Sequence, residues 1–208
     1  MKLVVLGATG GTGIEIVRQA IERGHSVTAF VRSPERLEGL RDRIEIRRGN
    51  LLSGPELENV LDGQDAVLSA FGPRIPVSKN EKNLLRDFAA ALTPAMLRVG
   101  VKRIVVESVA FLFKDSIFPP TYILGKLLFP SIVTDAGAME RIFQMSQLEW
   151  TLVRPPELTN GLHSGKYRVR EGHLPRFGFS ISRADVADCF LEILENQRFV
   201  RKIVGVSR

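Results

Sequence analysis

The chain has 208 residues, of which 44% are apolar and 25% charged, with a net charge of +6 and a single cysteine. That is enough for one domain with a sizeable core, and the composition excludes a disordered, collagen-like or disulfide-stapled protein. No apolar run reaches the ~18 residues of a membrane helix, since YILGKLLFPSIV is broken by Lys126 and Pro130, and LVVL is too short for a signal core; a cytoplasmic protein with no membrane association is expected.

In chain order, KLVVLG reads as a short buried strand that stops at Gly7. GTGIEIVRQAIERG places Ile14, Val17 and Ile21 on one helical face and stops at Gly24. HSVTAFVR is a second strand. SPERLEGL is expected to open a helix with Ser33 as N-cap, Pro34 at the first position and Arg36 in the first turn. RIEIRRGN is a third strand, SGPELENVLDG a short helix and DAVLSAFG a fourth strand. NEKNLLRDFAAALTPAMLRVG is a long helix stopping at Gly100, with Pro94 a candidate kink. KRIVVESV is a fifth strand, DAGAMERIFQMSQ is helical and EWTLVRPPE is a sixth strand. SRADVADCFLEILEN is a late helix with Ser182 as its cap, and RKIVGVS closes the sheet. Cys189 lies on the apolar side of that helix and reads as a buried, inert thiol.

Strands alternating with helices, with continuous apolar strands, specify a parallel sheet covered on both faces. The expected fold is α/β: a single doubly wound Rossmann domain over residues 1–208, with a mostly parallel sheet and a small C-terminal substrate-side region.

The first strand runs through Gly7, Gly10 and Gly13 into a helix, and this arrangement is a phosphate site. Gly7 permits the tight turn, Gly10 lets the backbone approach a pyrophosphate, and Gly13 lets the helix pack on the strand. Gly11 completes the loop, and the Thr9 and Thr12 hydroxyls are further donors. The spacing is G-x-x-G-x-x-G, and Gly13-Ile14-Glu15 excludes a nucleoside-triphosphate loop, which needs Gly-Lys-Ser/Thr. The second strand ends in Arg32, where NAD-binding chains carry a carboxylate for the ribose 2′-hydroxyl. With Arg36 nearby, this pattern predicts a 2′-phosphate, hence NADP(H).

The basic residues are spread along the chain without a nucleic-acid motif, so no nucleic-acid partner is expected. His25, His163 and His173 are far apart, and no metal site is expected.

LVVLGATGGTG, VTAFVRSPERL, GQDAVLSAFG, TLVRPP and ISRADVADCFLEIL resemble the atypical short-chain dehydrogenase/reductase superfamily. Within it the chain is similar to the NAD(P)H-binding flavin reductase and biliverdin reductase B type, with NmrA-like sensors as neighbours. The resemblance spans nearly the whole chain. It implies that Asn50 and Leu51 hold adenine, with Asn50 where the family has an aspartate. It also implies that Ala70, Phe71 and Gly72 back the nicotinamide ribose, with Arg74 following. Ser108 matches the fifth-strand serine, the candidate catalytic residue, and Pro155, Pro156 and Glu157 match the loop beside the nicotinamide. Glu157 stands where some reductases have a histidine. Residues 109–133 and 155–180 become the substrate-side segments.

Tyr122 and Lys126 have the one-turn spacing of the dehydrogenase Tyr–Lys pair, but Pro119, Pro120 and Pro130 break the long helix that pair requires. The same segment reads as a lid whose Phe111, Phe113, Phe118, Tyr122 and Phe129 either wall an aromatic pocket or fill the core. The resemblance implies hydride transfer from NADPH to a flat acceptor such as a flavin or quinone, with the proton coming from water. The second reading is an NADP(H)-binding redox sensor without turnover. An epimerase or isomerase would need the Tyr122–Lys126 pair. The expected partner is a small-molecule acceptor, and the chain is expected to be a monomer or homodimer.

Overall fold

In the computed structural model, which describes residues 1–73, 83–114 and 120–208, the alternation becomes a twisted eight-stranded sheet. The first half contributes β1 (Lys2–Leu6), α1 (Gly11–Glu22), β2 (Ser26–Val31), β3 (Glu45–Arg48), α2 (Gly54–Leu61) and β4 (Ala66–Ser69). Then come α3 (Leu84–Val99), β5 (Arg103–Glu107), α4 (Thr121–Leu128), α5 (Pro130–Met145) and β6 (Glu149–Arg154). The last part holds β7 (Glu157–Thr159), β8 (Arg168–Glu171), β9 (Ser180–Ser182), α6 (Arg183–Glu195) and β10 (Lys202–Ser207). The strand order is β3-β2-β1-β4-β5-β6-β10-β8, parallel throughout except for β8 against β10. β7 and β9 form a separate two-stranded parallel ladder. The order reverses between β1 and β4, where doubly wound sheets bind ligands.

The β1 residues explain the layering. Leu3 and Val5 face a core shared with α1 and α6, and Val4 and Leu6 face a core shared with α2, α3 and α5. All four are fully buried, as a strand covered on both sides must be. On the first face Arg23 of α1 pairs with Asp188, Glu192 and Glu195 of α6, and Gln19 donates to the Ala184 carbonyl at 2.8 Å.

Three expectations change. SPERLEGL forms a 3-10 segment, Glu35–Arg43, with Pro34 rather than Ser33 at its N-cap position. Leu37 is its one buried residue, so it has no apolar stripe to hold an α-helix against the sheet. The helix expected from DAGAMERIF starts five residues earlier, at Pro130, a first-turn proline that also separates it from α4, so no long helix runs through Tyr122 and Lys126. α3 runs uninterrupted through Pro94 to Gly100, whose φ of +79° closes the helix. The strands β7, β8 and β9, of three or four residues each, had no periodic signal long enough to read. Ser182 does cap α6: its hydroxyl accepts from the Asp185 amide at 3.0 Å. Cys189 is buried, and burial pushes its thiol up to about 12.

Candidate functional site

The loop after β1 is shaped by its glycines. Gly7 has φ +76°, and a Cβ there would lie 2.6 Å from the Ala70 carbonyl oxygen at the end of β4. A Cβ on Gly13 would collide with the Gly7 carbonyl, so only glycine lets α1 close onto the strand. The Gly10 amide donates to the Gly7 carbonyl at 2.8 Å and tightens the turn. Gly10 is the N-cap of α1 and supplies no side-chain cap, so the first-turn amides point at the loop mouth as anion donors. This cradle fits a dinucleotide pyrophosphate.

The sheet registers bring the other predicted residues to the same edge. Leu6 pairs with Ser69, Ser69 with Val106, and Glu107 with Val153, so the residues following β1, β4, β5 and β6 stand side by side. Arg36 donates to the Thr9 carbonyl at 2.6 Å, which ties the 3-10 segment to the glycine loop. Arg32 is exposed just beyond β2, and its carbonyl accepts from Arg48 at 3.0 Å. Asn50 forms a small turn, its Oδ1 accepting from the Leu52 amide at 3.0 Å, above the buried Leu51. The Ala70 amide donates to the Leu6 carbonyl at 3.0 Å, Phe71 packs on Phe88 of α3 with ring centroids 4.9 Å apart, and Gly72 is exposed. The Pro155 carbonyl accepts from the Ala110 amide at 3.1 Å. Arg74, Phe118 and Pro119 lie outside the described residues.

Ser108 turns toward α5. It is 6% exposed, and its hydroxyl donates to Glu140 Oε1 at 2.5 Å. Arg154 clamps the same carboxylate through Nε at 2.8 Å and Nη2 at 2.5 Å, with its guanidinium 4.6 Å over the Phe113 ring. Sequence reasoning missed Glu140 and Arg154. A carboxylate in line with Ala136, Met139 and Phe143, three buried positions of α5, was the available signal.

On the opposite sheet face, β5 ends in Glu107, also missed. Its carboxylate accepts from Thr12 of α1 at 3.4 Å. Burial pushes it up to about 7, against the smaller opposing pulls of Thr12 and the Arg183 charge. Arg183, the first residue of α6, lies across Gly11: a Cβ on that glycine would be 2.5 Å from Arg183 Cδ. Its guanidinium donates to the Leu158 carbonyl at 3.2 Å and to Asn160 Oδ1 at 2.7 Å. Gly11, Ile14, Arg18, Arg36, Asn160 and Arg183 line a cleft of 230 Å³ beside the loop.

The aromatic segment divides. Phe113 is core, whereas Phe111 stacks on Phe129 at 5.7 Å and packs on Gly125, which docks α4 onto the 3-10 turn Ala110–Leu112. Lys126 sits over the Tyr122 ring, 5.2 Å from its centroid. Among the described residues there is no cluster of three His, Cys, Asp or Glu side chains fit for a metal, and no helix long and apolar enough to cross a membrane.

A doubly wound sheet with a glycine cradle at its switch point defines a Rossmann-type dinucleotide-binding protein. The chain belongs to the NAD(P)H-binding family, whose model matches residues 7–197. An uncharacterised chloroplast protein of Arabidopsis thaliana is 30% identical over 99% of this chain and 76% of its own length. Among solved structures, a candidate NADH-flavin reductase of Streptococcus pneumoniae superposes with a TM-score of 0.81 at 27% identity, covering 100% of this chain and 99% of its own. A candidate NAD-dependent epimerase/dehydratase of Bacillus halodurans reaches a TM-score of 0.84 at 25% identity, covering 100% and 94%.

Proposed function

We propose that this chain is an NADPH-dependent oxidoreductase that passes hydride to a flat conjugated acceptor such as a flavin or quinone. The observation that carries the cofactor choice is the pair Arg32, just beyond β2, and Arg36 in the 3-10 segment that follows, with Arg36 bonded to the glycine loop at Thr9. A 2′-phosphate at that corner meets two guanidiniums, and a bare 2′-hydroxyl gains nothing from them. The similarity to the S. pneumoniae candidate flavin reductase supports the acceptor class.

In this reading the Gly11–Gly13 amides and the Thr12 hydroxyl hold the pyrophosphate, Asn50 and Leu51 border the adenine, and Ala70–Gly72 back the nicotinamide ribose. Pro155 borders the nicotinamide. The bound cofactor supplies the hydride. The protein's own contribution is to position two flat rings and exclude water. Ser108, just beyond β5 with its hydroxyl held by Glu140, is the candidate catalytic side chain. The acceptor is a small molecule, the chain acts as a monomer or homodimer, and a reducing, cytoplasmic setting suits its single buried thiol.

The sensor reading, NADP(H) binding without turnover, draws on two features: the Ser108 hydroxyl is already bonded to Glu140, and Lys126 lies over the Tyr122 ring. Calorimetric titration with NADPH and NADH tests the cofactor choice. The expected result is at least tenfold tighter NADPH binding, with Arg32→Asp removing the difference. Equal affinities for both, unchanged by Arg32→Asp, would overturn it.

A further inference from the structure

Glu107 has no part in the reading above, yet it stands directly under the cofactor cradle. Side chains along β5 alternate faces: Val105 packs with α1 and α6, Val106 with α2, α3 and α5. Glu107 therefore continues the α1–α6 face. There its carboxylate meets Thr12, the second residue of α1, whose backbone forms the loop. From α6 the group facing it is Arg183, folded over Gly11 and anchored to Leu158 and Asn160. From β6 its register partner is the apolar Val153. The nearby charges turn away: Glu140 and Arg154 pair with each other on the opposite face, Glu15 pairs with Arg18, and Asp185 holds the Ser164 segment.

We propose that Glu107 takes up a proton from solvent when the dinucleotide docks, so that cofactor affinity in this protein is coupled to pH. The inference rests on the dinucleotide site and not on the identity of the acceptor. A pyrophosphate on the Gly11–Gly13 amides places two negative charges beside a carboxylate that is already poorly solvated. Like charges at short range in a low-dielectric site disfavour the second ionisation. Protonation removes the repulsion and frees the Arg183 charge, which the carboxylate otherwise shares, to act on the phosphate. The Thr12 hydroxyl, which donates to the ionised carboxylate, becomes free to turn toward the cofactor. Burial that holds the free carboxyl near neutrality sets the coupling in the physiological range. By linkage, whatever pH does to affinity, binding does to the proton.

The test is calorimetric titration of NADPH into the full chain at pH 7 and pH 8.5, each in two buffers of different ionisation enthalpy. Wild type is expected to take up about half a proton per cofactor at pH 7, because a group titrating near 7 is half ionised there. Its Kd is expected to weaken roughly five- to tenfold from pH 7 to pH 8.5. Glu107→Gln, close in shape and unable to titrate, should lose both effects. Comparing it with wild type at one pH cancels protons released by the cofactor's own phosphate. The wild-type pH profile stands without the variant, should Glu107→Gln fold poorly. Equal buffer dependence in both proteins, or a wild-type Kd flat from pH 7 to 8.5, would overturn the proposal while leaving cofactor binding intact. Failure to bind NADPH and NADH at any pH would overturn this inference together with the functional reading.

Discussion

Glu140 and Arg154 form a two-bond ion pair out of water: Glu140 is 2% and Arg154 8% exposed, and Ser108 completes the cluster from β5. The pair ties α5 to the C-terminal ends of β5 and β6, where the Pro155–Glu157 stretch begins.

Breaking that pair from one side leaves a buried charge alone. Glu140→Ala is expected to cost about 3–5 kcal/mol in urea denaturation. Replacing both partners with apolar residues, Glu140→Leu with Arg154→Met, should recover most of that loss. Ser108→Ala removes one hydrogen bond and should cost about 1 kcal/mol. A double variant as unstable as Glu140→Ala would show that the pair does more than satisfy its own charges.

The two glycines of the α1 first turn should respond differently. Gly13→Ala drives a methyl into the Gly7 carbonyl, a backbone atom that cannot step aside, and is expected to cost about 2–4 kcal/mol or prevent folding. Gly11→Ala meets only the Arg183 side chain, which can swing away, so its thermal midpoint should fall by no more than a few degrees. NADPH affinity should still drop in Gly11→Ala, because Arg183 leaves its place over the loop. Comparing thermal unfolding with cofactor titration separates the two effects.

Glu107 also predicts a stability profile. Its folded value, about 7, lies above the ordinary 4.5, so the folded state holds the proton more tightly than the unfolded chain. Its contribution is therefore complete below pH 4.5 and is lost as pH rises through 7. The loss is on the order of 3 kcal/mol. Glu107→Gln removes the penalty, so at pH 8 it should unfold at a higher denaturant concentration than wild type. A wild type more stable than the variant at pH 8 would contradict this.

Cys189 should be inert. With its thiol buried and pushed up to about 12, it should react with a disulfide reagent only in denaturant. Stoichiometric modification of the native protein would place it nearer the surface than the structure does.

Much of the architecture was readable because it rests on long local patterns. Leu3–Leu6 is apolar without a break, and the glycines at 7, 10 and 13 are spaced for a turn and a helix, so β1, the loop and α1 were plain. What escaped were arrangements that sequence-distant residues make together. Ser108 and Arg154 both bond Glu140 only because β5, α5 and β6 pack side by side. Glu107 meets Thr12 and Arg183 across chain separations that no spacing rule covers. Arg103 is another such case. Though charged, it is buried and bonds the Glu149 and Arg198 carbonyls and the Thr151 hydroxyl, joining β5 and β6 to the turn after α6. The 3-10 form of Glu35–Arg43 was missed because cap and proline signals outweighed the lack of an apolar face.

Following the reduced-nicotinamide absorbance of NADPH with purified protein and FMN, FAD or a quinone measures the proposed hydride transfer itself. Acceptor-dependent loss of that absorbance, sharply reduced in Arg32→Asp, is the expected result. Tight NADPH binding with no oxidation on any of these acceptors would contradict it and leave the sensor reading.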